Sequence, residues 1–186
     1  MVLTGGCATH VERLQTSQVE DLSGAWNDTV SQQVSEEMIG DVLSAPWLAN
    51  YDRDHGSPPA VSVGEIRNLS HEHISTETFV ADIERNVINS GKLEIVASRE
   101  QLQDIRGERK DQDINASDQT RKAMGQEQGA DFMLKGAINT IIDASGSTQV
   151  RYYQVDLSMI SLADNAVVWV GGKKIKKLVE NSKLRL

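Results

Sequence analysis

Apolar positions along this chain change period several times, and each change marks an element. After Asn27 and Asp28, both good helix N-caps, Val30, Val34, Met38, Val42 and Leu43 recur at helical spacing, with Glu36, Glu37 and Asp41 opposite. This predicts a helix over Thr29–Leu43. Pro46 ends it, Trp47, Leu48 and Tyr51 fold back on the core, and Asp52–Pro59 reads as a polar loop. The period then falls to two, and Ala60–Ile66 predicts a strand. Thr76–Asn89 returns to helical spacing through Phe79, Ile83, Val87 and Ile88, with Ser90-Gly91 as its C-cap. Leu93–Ala97 is a short buried strand. Ser98 caps a charged helix from Arg99 to about Lys110, residues 111–116 loop, and Ser117 or Asp118 caps another helix running to Gln128. Three strands close the pattern: Ala130–Ala144, Val150–Leu162 and Val167–Val170. Ser145-Gly146-Ser147 and Asp164-Asn165 make the turns, and Gly171-Gly172 stops the last strand.

The predicted order is α-β-α-β-α-α-β-β-β. The first two strands bracket a helix and should lie parallel with a right-handed crossover, while the last three form an antiparallel meander. The economical way to bury both sets is an α/β (α+β) domain, a mixed sheet of about four to five strands flanked by about four helices. That domain takes residues 27–172. Residues 1–26 read as a tether and residues 173–186 as a basic tail.

Composition narrows the function classes. The chain has 186 residues, 39% apolar, and no run approaches the ~20 apolar residues of a membrane helix. Charge is uneven within a net −8: residues 1–60 carry nine acidic and two basic side chains, and residues 171–186 carry six basic and one acidic. An acidic body argues against a nucleic-acid partner, and the basic tail reads as solubilising.

Candidate chemistry is sparse. There is no phosphate-binding glycine loop and no Gly-x-Ser-x-Gly turn. His71-Glu72-His73 supplies at most two ligands of the three or four that zinc needs, and His10 and His55 fall in the tether and a loop, so neither metal nor cofactor is expected. His71 and His73 read as loop residues, and Glu72 as favouring the positive end of the next helix. The acid pairs Glu36-Glu37 and Asp111/Asp113 lie on exposed surfaces, where nothing shifts their pKa. Nothing in the sequence signals an enzyme.

Two resemblances add function. Small residues ahead of Cys7, the only cysteine, resemble a bacterial lipobox, in which a signal peptide is cut before a Cys that then carries acyl chains. The reading takes that signal peptide as lost ahead of Met1, with Cys7 as the lipidation site. Five segments in order then resemble the LpoB family of outer-membrane lipoproteins: Trp26–Thr29, Val61–Ser70, Ile88–Ser98, Gly129–Gly136 and Val167–Lys173. The resemblance implies a fold similar to the N-terminal domain of TolB. It implies a monomer, anchored in outer-membrane lipid through Cys7 and facing the periplasm, that binds and activates a bifunctional (class A) penicillin-binding protein in peptidoglycan synthesis. It implies no catalytic residue of its own. The arm from Cys7 to Trp26 reaches ~65 Å at ~3.4 Å per residue, shorter than in the best-known members.

Contact residues are sought among side chains that neither pack nor cap: Arg67, Asn68, His71 and His73 on one loop, and Tyr152 or Tyr153 on the meander. Asn68 also suits closing a turn, and one of the two tyrosines must face the core. Two other functions compete. One is a structural component of an envelope complex, such as a secretion or flagellar assembly, which predicts a stable oligomer. The other is a small-molecule or metal site on the His71/His73 loop.

Overall fold

A computed structural model describes residues 24–117 and 127–180. Helices α1 (Asp28–Ser44) and α2 (Pro46–His55) lead into strand β1 (Ala60–Asn68). Helix α3 (Thr76–Ser90), the short strand β2 (Glu94–Ile95) and helix α4 (Arg99–Asn115) follow. The chain closes on three 14-residue strands, β3 (Phe132–Ser145), β4 (Thr148–Ser161) and β5 (Val167–Glu180).

Of the N-caps, Asn27 and Ser98 are as expected from the sequence, and Ser75 is an addition. Asn27, Ser75 and Ser98 each accept a backbone N–H at the start of α1, α3 and α4, and Ser98 with Gln101 completes a capping box. Gly91 ends α3 at φ +64.

The sheet order is β2-β1-β3-β4-β5. β1 pairs in parallel with β2 and β3, and β3-β4-β5 is an antiparallel meander. The mixed α+β sheet read from the sequence is therefore the fold. Helices α1 and α3 pack together across one face of the sheet. Small Ser31 and Ser35 let them approach, and the seam is hydrogen-bonded: Ser31 donates to the buried Asp82 carboxylate (2.9 Å), and Asn86 donates to Ser35 (3.1 Å). Phe79 and Ile83 of α3 meet Val61, Leu134, Ile138, Tyr153, Val155 and Met159 of the sheet, each at most 1% exposed.

Five details differ from the sequence reading. Pro46 does not merely end a helix but starts α2 in its first turn, where a missing N–H costs nothing. Only Glu94 and Ile95 of the expected Leu93–Ala97 strand hold strand geometry. Helix α4 runs past Lys110 to Asn115. Strand β5 does not stop at Gly171-Gly172; residues 173–180 of the expected basic tail continue the ladder, from Lys173 opposite Val155 to Glu180 opposite Thr148. Trp26, assigned to the tether, packs edge-on against Phe79 and Tyr153. The expected helix from residue 117 or 118 to Gln128 falls mainly on 118–126, outside the described residues.

Candidate functional site

Strand alternation and register divide the sheet into a face under α1 and α3 and a face those helices leave open. Rows crossing the open face are Arg67–Ala137–Asp156–Gly172, Lys135–Ser158–Val170, Asn139–Gln154–Lys174 and Ile141–Tyr152–Lys176. Apolar side chains stay exposed there: Ile141 at 65%, Val170 at 71% and Leu178 at 65%. Arg67, Lys135, Lys174 and Lys176 stand between them without an ion-pair partner among the described residues, while Asp156 accepts from Gln154 Nε2 at 3.0 Å. A depression of about 850 Å³ opens over Arg67, Lys135, Asp156, Ser158 and Gly172. A second, of about 840 Å³, shares Glu65 and Met133 with it and reaches α4, where Arg106 grips Glu127 through two hydrogen bonds (2.9 and 2.8 Å).

The candidate residues separate on this geometry. Arg67 and Tyr152 lie on the open face, and Tyr152 donates to Gln154 at 3.3 Å. Tyr153 is the core tyrosine, fully buried, because its position alternates with Tyr152 toward the helices. It is withdrawn from the surface as a contact. Asn68 closes the turn. Its Oδ1 accepts from Ser70 N (3.0 Å) and Ser70 Oγ (2.6 Å), and its Nδ2 donates to the Glu72 carbonyl (2.8 Å). His71 and His73 are exposed on the loop after β1, at the sheet's end, with the His71 N–H donating to Thr140 Oγ1 at 3.3 Å. Among the described residues, no three His, Cys, Asp or Glu side chains group as metal ligands. Cys7 lies outside the described residues.

The sequence reading missed Glu72. Its carboxylate does not serve the α3 N-terminus but lies under the sheet's other face. There it accepts from Tyr153 Oη (2.8 and 2.9 Å), Arg151 Nη1 (3.2 Å) and the Trp26 N–H (3.2 Å). Burial, then the hydrogen bond and charge of Glu72, push the Tyr153 hydroxyl up to about 12. Nearby, Lys177 donates to the Ala25 carbonyl (2.8 Å), and Lys173 pairs with Glu37 of α1, holding that carboxyl below its usual range. These contacts bind residues 24–26 into the domain. Lys135, Lys174 and Lys176 were missed as well; their phase, opposite to the apolar positions of the same strands, was the available signal.

Among the described residues, then, one face of the sheet is packed under α1 and α3, and the other carries exposed aliphatics and cations without ion-pair partners. The family model for the peptidoglycan-synthase activator LpoB matches residues 30–175, most of the chain, and the protein belongs to that family. It is an activator family rather than a catalytic one. Solved structures similar to this chain include the LpoB C-terminal domain from Escherichia coli, 13% identical over 79% of this chain and 98% of that one at a TM-score of 0.46. The corresponding domain from Salmonella enterica is 14% identical over 77% and 96%, TM-score 0.42. Lipoprotein GNA1162 from Neisseria meningitidis is 15% identical over 68% and 88%, TM-score 0.45. No curated protein matches.

Proposed function

We propose that this protein is a lipid-anchored activator, held to the bacterial outer membrane through acylated Cys7, that docks its open sheet face on a class A penicillin-binding protein in the periplasm and stimulates peptidoglycan synthesis. Family membership supports the partner class. The observation that carries the docking face is a set of four cations without ion-pair partners among the described residues, Arg67, Lys135, Lys174 and Lys176, interleaved with Ile141, Tyr152 and Val170 on the face that α1 and α3 leave open. Exposed apolar side chains ringed by charge mark recognition surfaces. Activation follows if the protein binds the active conformation of the synthase more tightly than the resting one. No helix of the described residues is long and apolar enough to cross a membrane.

The test combines binding with glycan polymerisation by a purified class A synthase. The double variant R67E/K135E should bind at least tenfold more weakly and lose stimulation while melting at the wild-type temperature, since both side chains are exposed. Equal binding by wild type and variant overturns the docking face. No binding of any class A synthase by the wild type overturns the function. Mass spectrometry of protein from bacterial envelopes tests Cys7, where an unmodified thiol in every mature molecule refutes the anchor.

A further inference from the structure

Among the described residues, no strand pairs with the outer edge of β5 over residues 167–176. β5 is the last strand in the order, 14 residues long and without proline, and across it only β4 is paired. Such an edge is a template for another strand, and many proteins shorten or bulge theirs to prevent it. Among the described residues this edge is long and charged, and no other strand covers its 167–176 stretch. Lys173, Lys174, Ile175, Lys176 and Lys177 run consecutively through its middle. On the helix side Lys173 and Lys177 are engaged, by Glu37 and the Ala25 carbonyl. On the open side Lys174 and Lys176 are exposed.

That charge selects the occupant. Two copies pairing edge to edge about a two-fold at Ile175 would set Lys174 against the other copy's Lys176, and Lys173 against Lys177. Like charges directly opposite destabilise a ladder, whereas opposite charges stabilise it. We propose that the β5 edge accepts, by strand addition, an extended acidic segment of a partner protein, with carboxylates opposite Lys174 and Lys176 and a small apolar residue opposite Ile175. Backbone hydrogen bonds supply the affinity and the lysines supply the selection. This goes beyond docking on the open face: it uses the strand's outer backbone groups, which a face-bound partner leaves in water.

The probe is a capped synthetic heptapeptide, Thr-Glu-Val-Glu-Val-Asp-Thr, with a counterpart in which every acid is lysine, added to the full chain. Hydrogen exchange is read by NMR. The acidic peptide should slow exchange several-fold at the alternate β5 amides pointing away from β4 between residues 169 and 176, and more weakly as salt rises. The lysine peptide should bind about tenfold more weakly. K174E/K176E should invert that preference, a readout that loss of folding cannot imitate. Protection that is absent at saturating acidic peptide, or equal for both peptides, overturns the proposal. So does a dimer with these amides already protected, or protection in the peptide-free chain that vanishes when residues 1–23 are removed, because each gives the edge another occupant. If the acidic peptide registers on β5 but no class A synthase protects those amides, the strand-addition site stands and its occupant is a protein other than that synthase.

Discussion

The two faces of the sheet are made from the same strands and differ in almost everything else. Under α1 and α3, successive inward positions of β3 and β4 (Leu134, Ile138, Tyr153, Val155, Leu157) are at most 2% exposed. One residue along, Lys135, Asn139, Tyr152, Gln154 and Asp156 face the open side, and Ile141 and Val170 stay mostly in solvent. An antiparallel ladder allows this, because side chains alternate and only one face need be dry. The helix face is constrained by packing and carries the stability. The open face is released from that constraint, so apolar and cationic side chains stand in solvent there. The comparison implies a sharp asymmetry in what substitutions do.

The strongest test of that asymmetry is Phe79→Ala. Phe79 is fully buried between the helices and the sheet and meets Trp26 edge-on. Its truncation should cost about 3–5 kcal/mol of unfolding free energy in urea titration. Val170→Ala on the open face should change stability by no more than about 0.5 kcal/mol. Comparable losses at the two positions would end the two-face description.

Trp26→Ala comes next. Trp26 is half-buried, packs on Phe79 and Tyr153, and offers its N–H to Glu72. It should cost about 2–3 kcal/mol, below a core tryptophan because part of the ring is wet. A chain beginning at residue 24 should melt near the full chain, and one beginning at residue 27 well below it. Equal melting of the two truncated chains would return Trp26 to the tether.

How legible the fold was depends on where each element's information sits. The starts of α1 and α4 were readable because Asn27 and Ser98 bond within three residues of themselves. Helix α2 was not, because a proline that stops one helix sits equally well in the first turn of the next. The second half of β5 was hidden for another reason. Glycines at 171 and 172 look like a stop, and the lysines that follow look like a solvated tail. The inward ones, Lys173 and Lys177, find oxygen acceptors on Glu37 and Ala25, 136 and 152 residues away. Gly171 is needed because a Cβ there would collide with the Trp169 ring. The site was legible in part. Arg67 and Tyr152 were identified among the candidates, but choosing between Tyr152 and Tyr153 needed the register, and Glu72 depended on partners 46, 79 and 81 positions distant.

The adjacent tyrosines turn the comparison into a matched pair. Tyr153→Phe removes one donor from the Glu72 carboxylate and leaves Arg151 and the Trp26 N–H, so it should cost about 1–2 kcal/mol. Tyr152→Phe, whose hydroxyl makes one 3.3 Å bond to Gln154 at the surface, should cost under about 0.5 kcal/mol. Equal costs would mean the Glu72 cluster contributes nothing.

The smallest effect is also the most specific to the buried face. Burial and the neighbouring Glu72 carboxylate raise the Tyr153 hydroxyl to about 12. Burial and a hydrogen bond to Asp131 do the same for Tyr51. A raised folded pKa means that above about pH 10 the unfolded chain releases a proton that the native chain still holds. The stabilisation is therefore complete below pH 10 and drains away as pH climbs toward 12. Tyrosinate absorbance near 295 nm should show a late component in the native protein that shrinks in Tyr153→Phe, and the alkaline loss of stability should be shallower in that variant. An unchanged late component in Tyr153→Phe would show that the hydroxyl under the helices titrates like one in water, and with it the electrostatic distinction between the two faces would disappear.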